Sequence, residues 1–199
     1  MRKKKKVFFI SVCLSASMFL SACDDIVRYS NSAMREVRVN ASELQAPEYN
    51  NDRVLATMAV ANGANDFAFK ASAKLAANVD DENFVFSPYS VWLPLAALVN
   101  ATDDQNKGNL LTALGTSGIT EEDLNNASSR MLFDLTKEMK KEYGEYHNPL
   151  KIVNAIFVDK DVTIKKDFAQ KFMDFYRGKS ISVDFASNDV VDTINSMGI

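Results

Sequence analysis

Thiols are nearly missing from this 199-residue chain, and the two it has, Cys13 and Cys23, both lie in the first 23 residues. Beyond them nothing can form a disulfide within the chain or offer a thiolate to a metal. Histidine is as scarce: His147, between Tyr146 and Asn148, stands alone. A Ser–His–acid triad needs its histidine held between an acid and a nucleophile, and nothing around His147 arranges that. A zinc site lacks ligands on the same count. The seven glycines are scattered, with no GxxxxGK or GxGxxG run to cradle a phosphate. Basic residues do not dominate either: 23 stand against 26 acidic ones. That balance argues against nucleic acid as a partner. Asp103 to Gly108 (DDQNKG) invites a calcium reading, but the fifth and twelfth loop positions fall on Lys107 and Leu114, so it fails. The expectation is no enzyme, no metal and no cofactor.

What the chain does have begins at its first residue. Met1-Arg2-Lys3-Lys4-Lys5-Lys6 precedes an almost wholly apolar Val7 to Leu20, the pattern of an export leader. The run is short of the roughly 20 residues a spanning helix needs. Leu20-Ser21-Ala22-Cys23 resembles the lipobox of bacterial lipoproteins, in which small residues precede the cut and the cysteine takes a diacylglyceryl thioether. Two or three acyl chains hold where one does not, each buried CH₂ adding about 0.8 kcal/mol. The expected product is therefore exported and membrane-anchored through Cys23, at the bacterial cell surface or in the periplasm. A soluble secretory leader followed by a chance cysteine is the alternative. Residues 1–22 hold five of the basic side chains and no acidic one, which leaves 18 against 26 and a net charge of −8.

Residues 23–61 are mostly polar and read as a tether, with room for a short helix. The globular part is expected over residues 62–199. Asn65 to Phe69 opens a helix with Phe67, Ala71 and Leu75 on one face. A buried strand, Asn83 to Phe86, turns into a second helix with Ser87 as N-cap and Pro88 at N1. Its expected stripe is Val91, Leu95, Leu98 and Val99, with a kink or tightened turn at Pro94. Leu110, Leu111 and Leu114 mark a third helix. Thr120 caps a fourth, with Ile119 and Leu124 as a hydrophobic staple and Leu124, Ala127, Met131, Leu135 and Met139 as its buried face. Lys137, Lys140 and Lys141 are interrupted by Glu138 and Glu142, the look of a solvated helical face.

Leu150 to Asn195 carries the clearest pattern. An Ile/Val-rich run, Leu150 to Val158, suits a buried strand. Phe168, Phe172, Phe175 and Tyr176 then share one helical face, followed by Arg177 and a C′ glycine, Gly178. Ser180 to Phe185 alternates, with Ile181, Val183 and Phe185 on one side. Ser187 or Asn188 caps a last helix, with Val190, Val191 and Ile194 inward.

These segments resemble, in order, the serpin family of protease inhibitors. The matching strings are the FAF opening Phe67–Phe69, Asn83–Ser90 (NFVFSPYS), Asn154–Asp161 (NAIFVDKD), the aromatic helix DFAQKFMDFY, and Ser182–Phe185 (SVDF) leading to Ile194-Asn195. The resemblance implies an α+β fold: the serpin N-terminal half, helix-rich, with two parallel strands of sheet A and one sheet-B strand. It places Ser87, Ser90 and Asn195 in the shutter beneath the point where sheet A opens. In some animal serpins the fourth helix binds heparin through basic residues. The bait mechanism needs a reactive-centre loop, and no position here matches one, so the domain reads as a truncated serpin whose full-length parent would inhibit a serine or cysteine protease. A non-inhibitory binding or structural lipoprotein using the half-fold is the alternative.

Overall fold

The computed structural model of the chain describes residues 7–13, 33–40, 50–78, 84–136, 140–141, 144–145 and 150–196. In chain order the elements are β1 (Val7–Cys13), β2 (Met34–Glu36), α1 (Asn51–Ala76), α2 (Pro88–Leu98) running into a 3₁₀ turn at Val99–Ala101, and α3 (Asp104–Ala113). There follow α4 (Glu121–Thr136), the short strands β3 (Lys140–Lys141) and β4 (Gly144–Glu145), β5 (Ile152–Asp159), α5 (Lys166–Tyr176), β6 (Gly178–Val183) and α6 (Val190–Ser196). The α+β, helix-rich architecture expected from the sequence is what forms.

The main sheet runs β1-β5-β6-β2. β5 and β6 are parallel, joined by α5 as the crossover, and β1 and β2 flank them antiparallel. Successive side chains of a strand point to opposite faces, so β5 feeds two cores. Ile156 joins Trp92, Leu93, Leu114, Leu124, Leu132, Phe172 and Tyr176 among the helices α1 to α5. Its neighbours Ala155 and Phe157 join Ile181, Val183, Met34 and Val190 on the other face, beneath α6.

Several boundaries and faces differ from expectation, each for a physical reason. The tether expected over 23–61 is helical from Asn51, whose predecessor Asn50 caps the helix by accepting the Arg53 N–H at 2.8 Å, and its Met34–Glu36 pairs with β6. Residues 65–69 therefore sit in mid-helix. The buried positions of α1 are Val60, Gly63 and Ala64, while Phe69 and Leu75 are exposed. Residues 84–87 form no strand, and Val85 is fully exposed. Helix α2 continues through Pro94 without a break; of its expected stripe Val99 is buried and Leu95 and Leu98 pack on the core, but Val91 is exposed, and Trp92, Leu93, Ala96 and Ala97 are buried as well. The DDQNKG run opens α3: Asp103 caps the helix by accepting the Asn106 N–H at 2.9 Å, and Asp104 to Gly108 form its first turns. Val191 is exposed on α6, whereas Val190 is buried and Ile194 packs beside it.

The caps and staples hold closely. Thr120 accepts the Asp123 N–H at 3.1 Å, and its own hydroxyl donates to the Asp123 carboxylate at 2.7 Å. That second bond is what a short aspartate makes where a glutamate would reach back to the cap's own N–H. Leu124 is fully buried and Ile119 packs on the same core.

Candidate functional site

Ser87 ends the irregular segment before α2, and its side-chain oxygen caps the helix by accepting the Ser90 N–H at 3.4 Å. The two hydroxyls meet at 2.8 Å, and Ser90 is only 3% exposed. Pro88 at N1 costs the helix nothing, since that N–H would have no partner anyway. Pro94 has no N–H to return to the carbonyl four residues back, so the Ser90 carbonyl loses its ordinary intrahelical donor. The pair thus forms a compact polar node at the start of a nearly all-apolar helix. The two hydroxyls bond to each other, and Ser87 Oγ also accepts from the first turn of α2, which is the geometry of a helix cap.

Asn195, the third residue expected with them, stands exposed on α6. That helix packs on the sheet face lined by Ala155 and Phe157, while α2 packs on the face lined by Ile156. The structure therefore sets Asn195 across the sheet from the serine pair and does not enclose it with them. Cys23 and His147 lie outside the described residues. So do Lys137 and Glu138; Lys140 and Lys141 belong to β3, beyond the end of α4 at Thr136.

A second polar cluster lies among the helices, beside the apolar core that holds Trp92, Leu124 and Phe172. Asn100 and Asn125 exchange amide hydrogen bonds, each at 2.9 Å, linking the turn after α2 to α4. The Tyr176 hydroxyl, at the end of α5, donates to Asn125 Oδ1 at 2.7 Å. At the other end of the same tyrosine, Asn154 on β5 is wholly buried and its Nδ2 donates to the Tyr176 backbone carbonyl at 3.0 Å. That carbonyl is among the last four of α5, which have no intrahelical donor. The asparagine that leads the NAIFVDKD string therefore ties the end of the crossover helix to the strand before it. Burial pushes the Tyr176 phenol well above its ordinary range, so it stays a hydrogen-bond donor at any working pH. Two signals for this cluster were present in the sequence, the Asn125/Ser128/Leu132 spacing and the lone Tyr at the end of an aromatic stripe, but polar residues on a buried face carry no hydrophobic signal.

Tyr176→Phe removes one neutral bond and leaves Asn125 Oδ1 its Asn100 donor, so it is expected to cost about 1 kcal/mol. Asn125→Ala takes the acceptor from the Tyr176 phenol and the donor from Asn100 Oδ1, while Asn100 Nδ2 keeps its bond to the Ala97 carbonyl at 3.1 Å; it is expected to cost roughly 2–4 kcal/mol, from desolvated groups left unpaired plus a cavity. Urea titration of the two variants checks the ordering, and equal losses would refute this account of the cluster.

Around the same helices, Glu121 at the start of α4 accepts from Lys107 of α3 and Lys171 of α5, both at 2.7 Å. Lys107 first, then Lys171, holds its carboxyl below the usual range. The bridge pins three helices at one end. The Tyr89 hydroxyl, in contrast, is buried with no described partner. Among the described residues no group of His, Cys, Asp or Glu is placed to hold a metal, and no helix is long and apolar enough to cross a membrane.

The comparisons with known proteins fall on the segments just described. The sequence profile of the family described as "Serpin (serine protease inhibitor)" matches residues 62–198. A mouse (Mus musculus) serine protease inhibitor is 26% identical over 165 residues, covering 82% of this chain and 34% of the relative. Mouse plasminogen activator inhibitor 1 is 29% identical over 126 residues, 63% of this chain and 30% of the relative. An uncharacterized serpin-like protein of Methanosarcina acetivorans is 29% identical over 147 residues, 69% and 30% respectively. The chain thus spans about a third of the length of the curated relatives it matches. With its profile matching most of the chain, and the serine node, the asparagine-led strand and the aromatic crossover helix each in place, this protein belongs to the serpin family.

Proposed function

We propose that the chain is the N-terminal part of a serpin-type inhibitor of serine or cysteine proteases, exported and held at the bacterial membrane by lipid on Cys23. The observation that carries the inhibitor reading is the profile match over residues 62–198, which includes both parallel strands of the main sheet and the crossover helix between them. In a spring mechanism that sheet is the surface that moves, and the bait loop is the part the protease cuts. No stretch of these 199 residues resembles such a loop, so the polypeptide Met1–Ile199 does not trap a protease by itself. The anchor reading rests on the sequence Leu20-Ser21-Ala22-Cys23 behind a basic and apolar leader.

The test has two arms. Expressed in a bacterium fed radiolabelled palmitate, the chain is expected to take label and sediment with membranes, and Cys23→Ser to lose both. Unlabelled wild type in the soluble fraction would overturn the anchor. Mixed with trypsin, chymotrypsin or papain, the 199-residue polypeptide is expected to give no complex that survives denaturing electrophoresis. An adduct would overturn the view that inhibition needs a loop outside these residues.

A further inference from the structure

Part of the stretch between the proposed anchor and α1 is docked on the domain. Met34–Glu36 pairs antiparallel with β6, Met34 opposite Val183 and Glu36 opposite Ile181. The pairing runs on at both ends: the Asp184 N–H donates to the Ala33 carbonyl at 2.8 Å, and the Val37 N–H to the Ser180 carbonyl at 2.9 Å. Met34 is 6% exposed and packs with Phe157, Ile181 and Val183. Asn40 is gripped from α5: its N–H donates to Gln170 Oε1 at 3.2 Å, and Gln170 Nε2 donates back to its carbonyl at 2.9 Å. A backbone ladder, a buried side chain and a two-point amide clasp thus hold one segment. Residues 33–40 lie ahead of residues 62–198, so this strap is an addition to the domain that the family profile describes.

The strap shortens the reach of the anchor. Cys23 stands 28 positions before Asn51, the start of α1, but ten before Ala33. A flexible chain of the longer length spans about 30 Å on average and at most about 100 Å. The shorter one spans about 17 Å and cannot pass roughly 36 Å. The strap also fixes where the chain arrives. Ala33 lies beside Asp184, just past the end of β6, and Val183 stands opposite Asp159, the last residue of β5. The chain from the anchor therefore enters at the pole where both parallel strands finish, next to Lys160, which pairs with Asp184. We propose that residues 33–40 are a docking strap that holds this pole close to a phospholipid bilayer and turns the opposite pole, where β5 begins, away from it. The inference rests on the lipid-anchor reading given above. A partner arriving from solution then meets the pole where β5 begins.

The experiment places the lipidated chain in phosphatidylethanolamine–phosphatidylglycerol liposomes that carry a rhodamine headgroup acceptor. Past Cys23 the sequence has no thiol, so one introduced cysteine takes the donor dye alone. Asn188→Cys, exposed just past β6, reports the strapped pole, and Lys151→Cys, exposed just before β5, reports the other. The eight residues of β5 separate the poles by about 26 Å. Energy transfer is expected to be at least twofold more efficient from Asn188→Cys. Met34→Asp with Gln170→Ala releases the strap and is expected to abolish that difference. A ten-residue Gly/Ser insertion between Asp25 and Ile26 lengthens the leash, leaves the strap and the sheet untouched, and is expected to lower transfer from both sites. Hydrogen exchange on the same protein checks the strap itself: residues 33–37 are expected to exchange at least tenfold more slowly in the wild type than in the released variant. Equal transfer from the two sites in membrane-bound wild type, no effect of the insertion, or equal exchange in wild type and released variant would overturn the proposal. Slow exchange at residues 33–37 in a chain that takes no palmitate would overturn the anchor reading instead.

Discussion

Gly115→Ala is expected to be among the most damaging single-methyl substitutions in the molecule, costing roughly 2–5 kcal/mol from left-handed strain and overpacking together. Gly115 has φ +75°, and a Cβ built on it would lie 2.7 Å from the Gly63 carbonyl oxygen and 2.9 Å from the Gly63 Cα. The neighbour is main chain in the middle of α1, so no rotamer change can relieve the overlap. Reciprocally, a Cβ on Gly63 would meet the Gly115 oxygen at 2.4 Å. The two glycines are where α1 rests directly on the turn after α3, and the turn is further held by Trp92 Nε1, which donates to the Leu114 carbonyl at 3.1 Å. Gly118 supplies the control. It has φ +82° but nothing within 4 Å, so Gly118→Ala carries the strain alone, about 1–2 kcal/mol. Gly63→Ala is the opposite control: alanine favours the helix by about 1 kcal/mol, so any net loss measures the contact. For a chain of this size each kcal/mol moves the melting temperature by about 2–4 °C. Calorimetry should therefore rank Gly115→Ala well below Gly118→Ala. Equal shifts would mean that the α1–turn contact does not form.

That glycine pair also shows why parts of the structure were hidden in the sequence. Helix α5 was legible because its apolar residues are large, confined to one stripe and flanked by charge: Phe168, Phe172 and Tyr176 are buried as the spacing requires. Helix α2 was legible as a helix but not in its orientation. Its residues are apolar all round, so periodicity could not decide between Val91 and Trp92, and the choice fell to shape and to the Trp92 hydrogen bond. On α1 the burial is carried by Val60, Gly63 and Ala64, small residues that allow close approach and contribute little to any hydrophobic stripe. On α4 the inward face includes Asn125 and Ser128, because a polar cluster replaces part of the apolar core there. The serine node was readable down to its cap, since capping is local. Asn195 stands on α6, whose placement against the sheet depends on tertiary packing that no local pattern encodes. The strand Met34–Glu36 lay in a polar stretch for a related reason: an edge strand of three residues needs only one inward apolar side chain, and Met34 is it.

Gly178→Ala is expected to cost at least as much as typical core overpacking, roughly 1–3 kcal/mol or more, because the space is occupied by a ring that cannot leave. The sequence suggests Gly178 as the left-handed residue that ends α5, but Arg177 takes that conformation, with φ 53°. Gly178 is instead the first residue of β6, opposite Asn154, and a Cβ there would stand 2.1 Å from Phe172 Cζ and 2.4 Å from both Cε atoms. The glycine is needed for close approach, not for φ. Phe172 is 1% exposed and stacks on Phe168, so its ring has no empty rotamer to enter. The two roles separate by mutation. Arg177→Gly keeps the αL turn, which glycine enters without a Cβ penalty. A double-mutant cycle isolates the contact at Gly178: Phe172→Leu vacates part of the ring volume, and Gly178→Ala in that background should cost at least about 1 kcal/mol less than in the wild type, the size of coupling expected of touching residues. Strict additivity would show that Phe172 does not press on the backbone there. Coupling would show that β6 begins where it does because the aromatic face of the crossover helix leaves room for a hydrogen atom and nothing larger, which also sets the parallel register of Gly178 opposite Asn154 and, through Asn154, the bond that holds Tyr176.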